Sequence, residues 1–262
     1  MVAPMQPKRI LLSRPLVERD DGQPIQQPED PLLTSLQHSA DVMNFPMQSL
    51  LLYSAPLPAQ RKFITDIHCY DNIIVTSKAA ARQLVDYLDQ YWPQVPVGLP
   101  LMALGSGTAE ALRTLSQRIL LPQAGHSSEH LLALAALQNV MHRRILLVKG
   151  QGGRTTLAET LVARGAKVDT LLCYERRSLE HSANELEQLT RFAPTHVVAL
   201  SLETLQALLQ LKQLKLTQAL FLVPSERVAE PLRDAHVKYK VTDDLRPANM
   251  IKLLGLEPAA GT

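Results

Sequence analysis

The chain has 262 residues, 46% of them apolar, with 27 basic side chains against 25 acidic ones and a net charge of +2. This excludes a disordered chain, and the near balance of charge excludes a general nucleic-acid binder, which needs a strongly basic face. Two cysteines, Cys69 and Cys173, are too few for a disulfide framework and suit a reducing, cytoplasmic setting. No apolar run approaches the ~20 residues of a membrane helix, and the opening MVAPMQPKR is too short and polar for a targeting segment. One large or two modest domains are expected.

In chain order, Arg9–Leu12 reads as a strand ending in Ser13-Arg14-Pro15. The polar, proline-bearing stretch Val17–Glu29 reads as a mobile loop. Asp30-Pro31 opens a helix through Leu32, Leu33 and Leu36, with aspartate as cap and proline in the first turn. Ser49–Ser54 and Asn72–Val75 read as strands, the second leading into Thr76-Ser77-Lys78 and a helix. Leu101–Leu104 is a strand ending in Gly105-Ser106-Gly107-Thr108, and Arg118–Leu121 a shorter one. A leucine-rich helix follows from Glu129.

Arg143–Arg177 then forms one strand–helix–strand unit. Ile145–Val148 is a continuous apolar run, as in a strand covered on both faces. Lys149–Arg154 is a glycine-rich turn with a cation at each end. Thr156 and Glu159 have capping-box spacing, Leu157, Leu161 and Val162 give a helical stripe, and Gly165 ends the helix before strand Val168–Tyr174. Ser182 and Glu185 make a second capping box. His196–Leu200 ends at Ser201, Ala219–Val223 ends at Ser225, and Tyr239–Thr242 leads to a final helix around Met250–Leu254.

The two halves match in order: RILLSRP with RILLVKG, NIIVTSKAAARQLV with HVVALSLETLQALL, LMALGSGTAEAL with LFLVPSERVAEPL. Four αβ units followed by four more predict an α/β protein of two similar doubly wound, flavodoxin-like parallel-sheet domains. On the residues alone, one cut falls near Val140.

Ligands of such sheets bind beyond the carboxyl ends of the strands. Ser13-Arg14, Thr76-Ser77-Lys78, Gly105–Thr108, Lys149–Arg154, Ser201 and Ser225 fall there: hydroxyls, glycines and cations, with few acids. Helix amino termini add free N–H groups, so the set suits an extended polyanion. Each serine or threonine also has a plain reading as a helix cap. Gly150-Gln151-Gly152-Gly153-Arg154-Thr155 and Gly105-Ser106-Gly107 both lack the third glycine of a dinucleotide loop, and neither has the Gly-Lys-Ser/Thr ending of a triphosphate loop. His126 and His130 lie one helical turn apart, but sequence supplies no third ligand, so no metal is expected. Tyr174 closes a strand where the chain should leave one domain. Its phenol could donate a proton, or its ring could simply pack at a junction.

The motifs LLSRP, YDNIIVTSKAA, ALGSGTAEAL, ILLVKGQGGRTTLAETLVARGAKVDTLLCYERR and VPSERVAEPL, in this order, resemble the uroporphyrinogen-III synthase family over nearly the whole chain. The resemblance implies a different division. Residues 1–48 and 179–262 form a discontinuous first domain and 56–172 a second. Residues 49–55 and 173–178 form a two-strand neck, with a cleft between the domains. It implies cyclisation of hydroxymethylbilane, a linear tetrapyrrole with eight carboxylates, to uroporphyrinogen III with loss of water and inversion of the last ring. No cofactor is implied. The expected partners are the bilane and its product, with a transient contact to hydroxymethylbilane synthase, for a monomer that binds neither nucleic acid nor membrane.

Carried over by position, Tyr174 matches the tyrosine that assists departure of the hydroxyl. Arg14, Thr76, Ser77, Thr108, Ser201 and Ser225 match small polar or cationic cleft residues, Arg14 either binding a carboxylate or merely bracing its domain, and Ser106 joins them as a substrate-binding candidate. Lys149 and Arg154 are the electrostatic choices for acetate and propionate groups. Ser201-Leu202-Glu203 departs from the more usual Thr-Ser with a small residue, and Val17–Glu29 is longer than the family leads one to expect. A non-catalytic relative that binds a linear tetrapyrrole or another polyanion is the alternative, and an unrelated enzyme such as a nucleotide-sugar transferase a third reading.

Overall fold

The structure, a computed structural model, describes residues 8–25, 30–123, 125, 127–153, 155–211, 216–242, 244 and 246–256. In chain order the elements are β1 (Arg9–Leu12), β2 (Leu16–Arg19), α1 (Pro31–Gln37), β3 (Asp41–Asn44), β4 (Gln48–Leu52), α2 (Arg61–Thr65) and β5 (Asn72–Val75). There follow α3 (Lys78–Tyr91), β6 (Leu101–Ala103), α4 (Ser106–Ala111), α5 (Ser128–Leu132), β7 (Arg144–Gly150), α6 (Thr156–Ala163) and β8 (Lys167–Ser178). The last are α7 (Ala183–Phe192), β9 (His196–Val198), α8 (Leu202–Gln210), β10 (Leu220–Val223), α9 (Glu226–Asp234), β11 (Tyr239–Val241) and α10 (Pro247–Leu253).

Two sheets result. One has the order β11-β10-β9-β1-β3, and its neighbours are all parallel. That is the flavodoxin order, with the unit's first strand beside one edge strand and the later strands added on its other side. The second has the order β2-β4-β8-β7-β5-β6, with β8, β7, β5 and β6 mutually parallel where they meet. Leu120 adds one parallel bridge to Met102 beyond β6. Around β5 this sheet therefore winds two steps one way before crossing back, so its switch point lies between β5 and β7.

Strand periodicity explains the layers. Side chains alternate between faces, and here both faces are apolar, as covered parallel sheets require. In the first sheet Leu11, Val197 and Phe221 pack with Leu205 of α8 and Leu232 of α9. Ile10, Leu12, Val198 and Leu222 turn to the other side, against Leu36 of α1 and Met250 of α10. In the second sheet Ile73, Val75, Leu146 and Val148 face Leu84 and Leu88 of α3. Ile74, Ile145 and Leu147 face Leu131 of α5 and Leu161 of α6.

The chain divides into two compact units. One comprises Met1–Leu16, Gln26–Ser49 and Arg177–Thr262, the other Val17–Ile25 and Leu50–Arg176. The single cut near Val140 is thus overturned. Ile10 of β1 pairs with His196 of β9, so the first unit needs both ends of the chain. Repetition of αβ units along a sequence does not reveal which strands become neighbours.

Local expectations differ from the structure in instructive ways. Val17–Glu29 is not a loop throughout. Leu16–Arg19 forms β2, an edge strand whose charged Glu18 and Arg19 suit an edge, and Val17 packs on the second unit's core. The stretch joins β4 through Asp20 N–H to Leu52 O at 3.0 Å and Ser54 N–H to Asp20 Oδ1 at 2.8 Å. The strand expected at Ser49–Ser54 is β4, Gln48–Leu52. β3 was not anticipated, because an edge strand reading Asp-Val-Met-Asn carries little apolar signal. Arg118–Leu121 contributes a bridge rather than a strand.

Thr155, not Thr156, precedes α6 and makes no side-chain cap, so the first capping box does not form. The second does: Glu185 N–H donates to Ser182 Oγ at 3.3 Å, and Ser182 N–H donates to Glu185 Oε2 at 2.8 Å. Val162 is exposed, since it lies off the Leu157–Leu161 face. Gly165, at φ +86°, closes α6 where other residues would be strained.

Candidate functional site

At the carboxyl end of β5 the chain turns sharply into α3. Thr76 N–H donates to Val148 O at 3.1 Å, which holds this turn against β7. Ser77 caps α3, accepting from Ala80 N–H at 3.2 Å. On the neighbouring strand Gly105 leads into α4, with Ser106 exposed and Thr108 buried. Leu104 N–H donates to Val75 O at 3.1 Å, so these two turns lie side by side.

Tyr174 enters this corner from β8. The β7–β8 register shifts at Lys149/Gly150, and Gly150 then faces Tyr174. A Cβ on Gly150 would run into the Tyr174 ring at Cε2 and Cζ, so glycine is what lets the ring lie against the β7 backbone. Gln151 N–H donates to Tyr174 O at 2.6 Å. The tyrosine is 3% exposed, and its hydroxyl lies 3.1 Å from Ser77 Oγ.

Arg176, two residues along β8 and so on the same face, donates from Nη2 to the Tyr174 hydroxyl at 3.4 Å. Its guanidinium carbon lies 5.6 Å from the ring centre, within cation–π range. Lys149 has its pKa pushed down, first by burial and then by the positive charge of Arg176. Behind this group, Tyr53 donates from its hydroxyl to Gln151 Oε1 at 2.9 Å, while Gln83 and Tyr87 donate to Tyr53 O at 2.5 and 2.8 Å. Tyr53 N–H in turn donates to Cys173 O at 3.0 Å, next to Tyr174 in β8.

In the other unit, the carboxyl ends of β9 and β10 run into two capped helices. Ser201 accepts from Thr204 N–H at 3.1 Å and donates to Thr204 Oγ1 at 2.9 Å. Ser225 accepts from Val228 N–H at 3.4 Å. Glu203, in the first turn of α8, is exposed. Arg14, after β1, is held by Asp30: Nε lies 2.6 Å from Asp30 Oδ2. Asp30 in turn caps α1 through Leu32 N–H at 3.0 Å. Arg14 therefore braces the start of α1.

Arg154 and His126 lie outside the described residues. Among those described, no three His, Cys, Asp or Glu side chains group as metal ligands, and no helix is long and apolar enough to cross a membrane. Two cavities, of about 710 and 680 Å³, lie away from this corner. One is lined by Asn72 and Leu101 at the amino ends of β5 and β6. The other, in the first unit, lies beside His181 and Gln206.

The arrangement offers a buried phenol with a serine and a guanidinium at its oxygen, a second cation nearby, and helix amino termini. The family model described as uroporphyrinogen-III synthase HemD matches residues 34–251. The chain belongs to the uroporphyrinogen-III synthase family.

Among sequence relatives, uroporphyrinogen-III synthase of Escherichia coli K12 is 38% identical over 163 residues, 60% of this chain and 65% of that protein. The Proteus mirabilis synthase is 39% identical over 119 residues, 44% of this chain and 58% of that one. The chain thus matches less than two thirds of the length of these relatives. Two solved structures share the fold. The Thermus thermophilus uroporphyrinogen III synthase, as a triple mutant, has a TM-score of 0.59 at 17% identity, covering 95% of this chain and 97% of that one. The Helicobacter pylori 26695 uroporphyrinogen-III synthetase has a TM-score of 0.57 at 15% identity, covering 94% and 99%.

For this member of the synthase family, Thr76, Ser77, Ser106, Thr108 and Lys149 lie at the carboxyl ends of β5, β6 and β7 in one unit, and Tyr174 meets Ser77 there from within β8, which runs on to Ser178 instead of ending at Tyr174 as expected. Ser201 and Ser225 occupy the corresponding helix caps of the other unit. Sequence reasoning missed Arg176, and took Gly150 only as part of the Lys149–Arg154 turn and not as the backbone beneath the Tyr174 ring. The i, i+2 spacing of Tyr174 and Arg176 was a readable signal once the strand extended past Tyr174. The bulge that sets Gly150 under the ring left none.

Proposed function

We propose that the chain is a uroporphyrinogen-III synthase, with hydroxymethylbilane as substrate and Tyr174 as its proton donor. The observation that supports this most is the Tyr174 hydroxyl, 3.1 Å from Ser77 Oγ and in contact with Arg176, in a member of this family. In this reading the pyrrole nitrogen pushes out the hydroxyl of the bilane's hydroxymethyl group. The carbon–oxygen bond breaks as the phenol passes its proton to that oxygen, which leaves as water. The resulting cation is attacked by the substituted carbon of the last ring through a spiro intermediate, and the ring closes inverted. The proton released on closure returns to the phenolate, so the cycle balances without an electron carrier.

Simple end-to-end closure gives the type I isomer, so the main work is positioning. Thr76, Ser77, Ser106, Thr108, Ser201 and Ser225, with helix N–H groups and Lys149, are assigned to the carboxylates. Arg14 is assigned there only in part, because Asp30 already holds it. Arg154 completes the proposed set from outside the described residues. We take residues 49–55 and 173–178 as the neck of a monomer working in a reducing cytoplasm, where Cys69 and Cys173 stay free thiols. The test is to supply freshly generated hydroxymethylbilane, oxidise the products and separate the uroporphyrin isomers. Predominantly type III above the protein-free control is expected. Type I alone, with retained affinity for a linear tetrapyrrole, would make the chain a non-catalytic relative.

A further inference from the structure

We propose that Arg176 is a positioning residue that acts on the reaction through the Tyr174 hydroxyl. The inference rests on the reading of Tyr174 as proton donor. The phenol oxygen has one hydrogen to give and can accept two hydrogen bonds. Arg176 Nη2 reaches it at 3.4 Å, and Ser77 Oγ lies 3.1 Å away. A guanidinium only donates, so the phenolic hydrogen is excluded from the Arg176 side. It points either to Ser77 or toward a ligand.

Ser77 cannot turn away freely, because its oxygen also receives Ala80 N–H at the start of α3. The ring lies close against the β7 backbone at Gly150, where a Cβ would overlap it. The oxygen is thus held between two groups anchored on different elements, β8 and α3, over a backbone wall supplied by β7. As the proton departs, negative charge grows on that oxygen with the guanidinium already beside it. Such preorganised charge acts most strongly in the transition state. The contact is a geometric consequence of strand pleating, with Tyr174 and Arg176 on one face and Glu175 on the other.

The test is a double-mutant cycle between Arg176→Met and Tyr174→Phe, read as kcat and KM for type III formation, with Arg176→Lys as the conservative variant. Arg176→Met is expected to lower kcat about ten-fold with KM changed less than about two-fold, the loss of a charge-assisted hydrogen bond made in the transition state. Arg176→Lys recovers part, keeping the charge but not the planar fork. In the Tyr174→Phe background, Arg176→Met should change kcat by less than about two-fold. The same factor in both backgrounds, or an effect confined to KM, would overturn the inference and leave the Tyr174 reading standing. A Tyr174→Phe protein with full activity would instead remove Tyr174 from the mechanism and this inference with it. A readout independent of turnover is the Cζ resonance of ¹³C-tyrosine-labelled protein, with Tyr174 assigned by its loss in Tyr174→Phe. That resonance should move in Arg176→Met, and an unmoved resonance would show that the two groups do not interact.

Discussion

Removing one oxygen at Tyr174 leaves a ring that still fills its place, so Tyr174→Phe separates chemistry from packing. The variant should melt close to the parent and form type III isomer more slowly, on the order of 100-fold, the low end for general acid catalysis because the pyrrole nitrogen already drives departure. Parallel thermal melts and isomer assays check this. Gly150→Ala makes the opposite kind of change. It removes no reacting group but drives a methyl group into the Tyr174 ring and displaces it. We expect a stability loss of about 1–3 kcal/mol, as for overpacked cores, and a rate close to that of Tyr174→Phe. A Gly150→Ala protein with normal rate and melting would mean that the ring does not need that backbone wall. The role proposed for Tyr174 was legible only through the family resemblance, since on the residues alone its ring could simply pack at a junction. The need for Gly150 was not, since it arises from a register shift between two strands.

At the scale of elements, the apolar strands β1, β5, β7, β9 and β10 were all legible as continuous runs, and the serine caps of α3, α8 and α9 as strand-end hydroxyls. The edge strands β2 and β3 were not, because they are short and half polar, whereas the edge strand β11 was read at Tyr239–Thr242. The start of β9 also carries a pH dependence. His196 has its pKa pushed below the ordinary histidine value, first by burial and then by Lys8 and Lys240. The unfolded chain therefore binds more protons, and this histidine's penalty appears as pH falls below about 6.5 and grows until the folded-state value is passed. The first unit should lose stability over that acid window, and His196→Gln should flatten this part of the profile. Denaturant midpoints measured from about pH 7.5 down to about 5 check it, a range that brackets the ordinary histidine value. A profile unchanged by the substitution would remove His196 as the cause.

At the scale of the whole molecule, the pattern of elements carried the fold class but not the assignment of segments to units, for which only the family resemblance implied a discontinuous division. Helix–strand alternation announced doubly wound sheets, whereas the pairing of β1 with β9 depends on contacts between residues nearly two hundred positions apart. The two sheets also wind differently around their first strands, which the matching of halves conceals. Fragments test the division. Residues 17–176 contain all of the second unit and most of its sheet, and should unfold cooperatively. Residues 1–140 contain β1 but lack β7, β8, β9 and β10, and should not. Circular-dichroism melts of both decide the matter.

The most direct test of the account compares the unmodified protein with Tyr174→Phe, each given the same freshly made hydroxymethylbilane, and follows the type III fraction with time. The account predicts mainly type III from the unmodified protein, and a much slower approach to that isomer with Tyr174→Phe. Type I in the proportion of the protein-free control from the unmodified protein would contradict it.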